Sequence, residues 1–272
     1  MRDSTAGLGY GERRIGAVNW VGLRTHYNKE VWRFMKVWTQ TVAAPAVTTL
    51  LFMAIFALAL GGAGRIVGDT PFQQFLAPGL MMMAIIQNAF ANTTSSILIS
   101  KVQGNIIDVL MPPLSPGELT IGYTLGGITR GVAVGLAVGA AFWLAPTVTV
   151  SVAHLWAVVY FAVSAAAMLS LVGILTGVWA AKFDHAAAIT NFVVVPLSLL
   201  SGTFYSIERL PESWQLVSQF NPFFYMIDGF RYGFIGIADG NLLIGVAVTL
   251  LLNIGLWIWV HMVFKTGYKL KS

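Results

Sequence analysis

The 272-residue chain contains no cysteine, and only 10% of it is Asp, Glu, Lys or Arg. Without thiols it has no disulfide framework, thiolate metal site or cysteine nucleophile, and its redox compartment stays undetermined. A soluble domain carries about 25% charged residues, so this chain cannot cover a water-facing surface. Acidic residues are scarcest: eleven are scattered along the sequence, and no two lie within three residues of each other in an apolar run. That leaves no carboxylate pair to hold Mg²⁺ beside a phosphate. Also missing are a GxxxxGK[ST] phosphate loop, an HExxH helix and a GxSxG elbow. His26, His154, His185 and His261 are far apart and at or beyond the ends of apolar runs, where an interfacial polar role is the ordinary one. An enzyme is disfavoured, and no metal or cofactor is expected on this chain. Any uphill work must draw on a partner or an ion gradient.

What is present is apolar length. The chain is 57% hydrophobic, which excludes intrinsic disorder, and crossing a bilayer takes about 20 mostly apolar residues. Six runs qualify: Thr39 to Leu60, ending at Gly61-Gly62; Phe75 to Ser100; Leu119 to Leu144; Val152 to Ala180; Ala186 to Phe204, with Pro196 inside; and Leu242 to Phe264. The expected fold is an all-α integral membrane protein with six transmembrane helices. One side of that topology carries twelve positive residues, from Arg2, Arg13 and Arg14 to Lys265, Lys269 and Lys271; the other carries three, Arg65, Arg209 and Arg231. The positive-inside rule then places both termini in the cytoplasm. The net charge of +5 is thus an orientation signal, and a nucleic-acid partner is not expected.

Residues 1–38 form a cytoplasmic N-terminus, 39–264 the membrane domain and 265–272 a basic tail. Met1 to Gly16 has no apolar h-region and does not resemble a cleaved signal peptide. Trp20, Leu23, Tyr27, Val31, Phe34 and Trp38 recur at three- and four-residue spacing among charged residues, predicting an amphipathic helix in the membrane interface.

Four segments exceed what a bundle of spanning helices requires. Between spans two and three, Ile106, Ile107, Asp108, Val109, Leu110 and Met111 are too apolar for a solvated loop. Gly104 and Pro112-Pro113 bound them as a helix of about two turns, a docking element for another protein or for the membrane surface. Residues 202–240 are too aromatic for a free loop and too broken by Pro211, Pro222 and Gly229 to span. They predict two external half-helices, near Glu212 to Phe220 and Phe223 to Ile235, dipping into the outer leaflet and capping something. Within them Asp228 and Arg231 are three apart on one helical face, placed to pair. Arg130 lies deep in span three, facing an aqueous path or bonded structurally to backbone carbonyls. Gln87, Asn88, Asn92, Thr93, Thr94, Ser95 and Ser96 form a polar flank on span two, either a path lining or interhelical glue.

At these residues the sequence resembles the ABC-2 type permeases, membrane subunits of bacterial ATP-binding-cassette exporters. The carrying stretch runs from span five towards span six: a small-residue turn at Gly202, Phe204, Leu210-Pro211, the Asn221-Pro222 pair, then Asp228 and Arg231. The run VLMPPLSPGEL at 109–119 looks like the family's turn from its coupling helix into span three. The resemblance implies a type V exporter-like half-transporter in the bacterial plasma membrane. It would dimerise with a second permease copy and dock a separate ABC ATPase that carries ATP and Mg²⁺. The coupling helix would be Gln103 to Met111; Phe204, Asn221, Pro222, Asp228 and Arg231 would belong to an external cap, and Arg130, Asn88 and Asn92 to the substrate path. Cargo could be a drug, a lipid or a saccharide. The alternative is a gradient-driven secondary transporter or channel, which predicts an essential titratable residue in the membrane and inverted repeats; no Asp or Glu sits in mid-span and the sequence shows no repeat.

Overall fold

The computed structural model describes residues 16–60, 66–67, 70–144, 151–207 and 210–270. These form α1 (Trp20–Met35), α2 (Ala44–Leu60), a hairpin of β1 (Ile66–Val67) and β2 (Thr70–Pro71), α3 (Phe72–Val102), α4 (Ile106–Leu110), α5 (Pro116–Leu144) and α6 (Leu155–Trp179). There follow α7 (Phe183–Ile189), α8 (Val195–Leu199), α9 (Glu212–Gln219), α10 (Pro222–Ile235) and α11 (Leu242–Thr266). Gly61-Gly62, Arg65, Arg209, Lys271 and the charges of the first fifteen residues lie outside the described residues.

Among the described residues, five helices are long and apolar enough to cross a membrane: Thr39–Ala59, Phe72–Val102, Pro116–Leu144, Leu155–Trp179 and Leu242–Thr266. They match the predicted spans one to four and six. The predicted fifth span is instead a shorter apolar helix, Phe183–Leu199, interrupted by a π-helical turn at Thr190–Val194. Proline is the physical reason for the interruption: Pro196 has no N–H for the carbonyl of Phe192, and its ring crowds that carbonyl. The helix opens into π geometry there. Pro45 stands in the same relation to Thr41 in the π-helical turn Thr39–Ala43. The segment then ends before Gly202, at φ +75, where the chain turns. Ala186 packs near Leu98 at one end of α3, whereas the backbone of Thr203 reaches Gly79 near the other.

α3 is the centre of the bundle. Its neighbours approach closely because they present glycine to it. A methyl on Gly131 would come within 2.9 Å of the Ile85 carbonyl, and one on Gly177 within 3.1 Å of the Thr94 carbonyl. Close backbone approach lets Thr93 Oγ1 donate to the Ser170 carbonyl (2.8 Å) and Thr94 Oγ1 to that of Gly173 (3.1 Å). This is the small-residue packing that drives helix association where lipid is as apolar as leucine. Only one seam of the middle of α3 is not fully covered: Met83, Gln87, Ala91, Ser95 and Ile99, spaced four apart, are half-buried.

Candidate functional site

One end of the bundle gathers α1, α4, the start of α5 and the ends of α3, α6 and α11. Gly104, at φ +75, turns the chain out of α3, and Pro112-Pro113 stop α4 after little more than one turn, shorter than predicted. Ile106 and Val109, three apart, are buried in a cluster with Leu119, Tyr123, Val178 and Val260. Ile107 and Met111 project outward, 59% and 75% exposed, with Asp108 also exposed and Leu110 half-buried.

The start of α5 is closed by a reciprocal cap. Ser115 Oγ accepts from the Glu118 N–H (3.3 Å), and Glu118 Oε2 accepts from the Ser115 N–H (2.6 Å). The other carboxylate oxygen accepts from the Asn19 N–H (2.5 Å), just ahead of α1. Asn19 in turn caps α1 through the Gly22 N–H (2.9 Å) and donates to the Pro113 carbonyl (3.1 Å). The N-terminus of α1 is thereby tied to the segment joining α4 to α5.

α1 departs from the expected interfacial helix in the face it buries. Trp20, Trp32 and Trp38 are exposed, while His26, Glu30 and Phe34 turn inward onto α5 and α3. Gly122 and Gly126 make this possible, since a methyl on Gly126 would sit 2.6 Å from Glu30 Cβ. His26, expected at the interface, meets Tyr123 edge-on at 4.4 Å. Burial lowers its pKa from 6.5 to about 4, against an upward pull from Glu30, so the imidazole is neutral at physiological pH. Glu30 is fully buried; it accepts from Ser96 Oγ (2.7 Å) and pairs with Arg33 (3.2 Å). Arg33 Nη2 also donates to the carbonyl and side-chain oxygens of Asn92 (2.7 and 2.9 Å), and its Nη1 to Ser95 Oγ (3.1 Å). One turn further into the bundle, Arg130 Nη2 donates to Asn88 Oδ1 at 3.0 Å. The three residues expected to line a path thus fall into two polar clusters one turn apart on α3, Arg130 with Asn88 and Asn92 with Arg33; the second includes two charged residues, Glu30 and Arg33, that the sequence did not single out.

Between α1, the end of α3 and α4 lies a cleft of about 600 Å³, bordered by Lys29, Arg33, Ser96, Gln103 and Asp108.

The opposite end holds α9 and α10, within a residue of the predicted half-helices. Asn221 caps α10 by accepting from the Phe223 N–H (3.1 Å), with Pro222 preset for the first turn. Its amide donates to Leu197 O (3.1 Å) and Ser201 Oγ (2.7 Å), fixing α10 to the end of α8. Phe204 packs on Phe56 of α2, with centroids 4.3 Å apart. Asp228 and Arg231 do not pair as expected. Asp228 accepts from the N–H groups of Asp239 (2.8 Å) and Gly240 (2.9 Å), closing the turn into α11. Arg231 donates to the Gly202 carbonyl (2.5 Å) and lies over the Phe75 ring at 3.8 Å. Unpaired backbone groups outcompete the neighbouring side chain, because a buried N–H or carbonyl cannot be left without a partner. These residues fasten the half-helices to α3, α8 and α11.

A family model described as ABC-2 type transporter matches residues 22–235. The chain is 37% identical over 255 residues to the inner membrane transport permease YadH of Escherichia coli K12, covering 93% of this chain and 98% of that protein. The permease of the same name from Shigella flexneri matches to the same extent. Nodulation protein J of Rhizobium leguminosarum bv. viciae is 24% identical over 255 residues, covering 89% and 92%. With five helices among the described residues long and apolar enough to cross a membrane and a family match over most of its length, the protein is a member of the ABC-2 type transporter family.

Proposed function

We propose that this chain is the permease subunit of an exporter in the bacterial plasma membrane, working as two copies with a separate ABC ATPase that binds ATP and Mg²⁺. The observation that carries the proposal is the form of α4. A short helix rooted in the core by Ile106 and Val109 while presenting Ile107 and Met111 outward is built to receive force from outside the chain. The excess of basic residues at the α4 end makes that end cytoplasmic. Phe183–Leu199 with the turn that follows it, running from near Leu98 to near Gly79 of α3, would supply a sixth crossing and return both termini to the cytoplasm. Closure of the ATPase pair would push α4; Asn19, Ser115 and Glu118 would carry α1 with it, and the Glu30–Arg33 contacts would carry that motion to the polar seam of α3. The cargo is a drug, lipid or saccharide.

Because the chain has no cysteine, single cysteines at Met111 and Val109 test this reading directly. Crosslinking in native membranes should join the Met111→Cys chain to an ATPase and leave the Val109→Cys chain unlinked. Equal linking at both, or linking to no ATPase, would overturn the docking assignment.

A further inference from the structure

Arg130 is the middle residue of α5 and Gln87 that of α3, so the Arg130–Asn88 contact lies half-way along the bundle. Asn92 and Arg33 follow about 6 Å nearer the α4 end, one turn of four residues at about 1.5 Å each. Arg33 is near enough for its charge to act on Arg130. Glu30 is the one carboxylate in these contacts, and both its oxygens are engaged, by Ser96 and by Arg33. Two cations against one anion leave a positive charge uncompensated.

The hydrogen bonds are unbalanced in the same direction. Arg33 Nε, Gln87 Nε2, Asn92 Nδ2 and Arg130 Nε are buried N–H donors with no acceptor among the described residues. Asn92 is fully buried, yet its free amide faces Gly126 across the gap to α5. The two asparagine side-chain acceptors are taken, Asn88 Oδ1 by Arg130 and Asn92 Oδ1 by Arg33. Buried donors without partners are rare in folded proteins and call for an explanation. Gln87 lies on the half-buried seam of α3, and of these donors Arg33 alone borders the cleft, with Lys29, Ser96 and the Asp108 carboxylate, whose charge offsets that of Lys29.

We propose that this ladder of donors binds an acceptor-rich oxyanion of phosphate-ester type with about one negative charge, reached from the cleft between α1 and α4. Spare donors and spare positive charge suit such a group, and both disfavour a cation. As cargo chemistry the inference rests on the seam being the path of an exporter. Oxyanion binding itself is measurable on the chain alone, so failure to recruit an ATPase and failure to bind the anion are separate results.

The test uses the full chain in dodecyl maltoside, a phosphate-free detergent, with three probes: dihexanoyl phosphatidylglycerol, inorganic phosphate and uncharged dihexanoylglycerol. Saturable binding of the phosphatidylglycerol, with a rise in Tm, is expected, and Arg130→Gln should weaken it about tenfold or more, as loss of a charge-assisted hydrogen bond does. Lys265→Gln, which removes an exposed cation in the last turn of α11 at the same end of the bundle but outside the cleft lining, should leave it unchanged. Binding of both anionic probes would mean that a free oxyanion suffices; binding of the lipid alone would assign a headgroup. Should Arg130→Gln not fold, Gln87→Leu decides. Removing an orphan donor should hold or raise the Tm of the empty protein while weakening binding several-fold. Equal binding of the uncharged probe, or binding that neither variant weakens, would overturn the proposal.

Discussion

Replacing Glu30 by glutamine keeps the shape of the side chain and removes its charge, leaving Arg33 beside Arg130 with no anion in contact. At the 3.2 Å separation of the Glu30–Arg33 pair, Coulomb's law with an effective dielectric of about 20 gives about 5 kcal/mol. Glu30 is fully buried, but the Arg33 side chain is 26% exposed and partly screened. A net loss of about 3 kcal/mol is therefore expected, in line with removing one partner of a buried pair. For a chain of this size that corresponds to a fall in Tm of about 6–12 °C, read by tryptophan fluorescence in dodecyl maltoside. Arg33→Met in the same background removes the orphaned charge and should restore more than about 1.5 kcal/mol, a coupling that a double-mutant cycle reports. A fall below about 2 °C for Glu30→Gln, or additive losses in the double variant, would mean that the pair does not anchor α1 and that the coupling route through α1 is wrong.

Further predictions concern the close contacts and the second buried polar group on α1. Gly126→Val places a side chain against Glu30 and should cost about 1–3 kcal/mol, whereas Gly255→Ala, with nothing within 4 Å, should be neutral or slightly stabilising in the same melts; a loss at Gly255 would place another chain on that face of α11. His26 is held neutral with a pKa of about 4, below its value of 6.5 in the unfolded chain, so its contribution is complete above about pH 6.5 and lost as the pH falls towards 4. Stability should drop by about 2 kcal/mol between pH 7 and pH 5, and His26→Leu should flatten that slope; an unchanged slope would contradict the burial of His26. Exchanging the charges of Asp228 and Arg231 should fail to rescue either single reversal, because each side chain serves a different backbone partner; recovery of Tm in the double variant would restore the pairing that their spacing suggests.

Spans one to four and six are legible in the sequence because a long apolar run has few other solutions, and α10 because Asn-Pro is both a cap and a helix start. The fifth span departs from its expected form for local reasons: hydropathy is blind to the missing N–H of Pro196, which opens the helix into a π turn, and to the turn at Gly202 that ends it. The ends of α4 follow from Gly104 and Pro112-Pro113, but its length does not. Which face of α1 turns inward is hidden because the exposed Trp20 and Trp38 outweigh two polar residues on any amphipathic scale. The deciding signal is on another helix: glycines four apart mark where α5 admits its partners closely, Gly122 and Gly126 taking the side chains of His26 and Glu30, and Gly127, Gly131 and Gly135 facing α3 and α6. That spacing is the sequence signal by which Glu30 and His26 belong against α5. The Asp228–Arg231 spacing misleads because side-chain periodicity says nothing of unpaired backbone groups in the turns at Gly202 and Gly240.

The central claim is that this membrane chain works with a separate ATPase through α4. The most direct measurement is ATP hydrolysis by the complex purified through a tag on the permease, with and without Ile107→Glu and Met111→Glu. An ATPase in equal stoichiometry with the permease is predicted, with turnover that responds to the permease and is uncoupled by the two substitutions while Tm is unchanged. Recovery of the permease with no ATPase, or hydrolysis indifferent to both substitutions, would contradict the account.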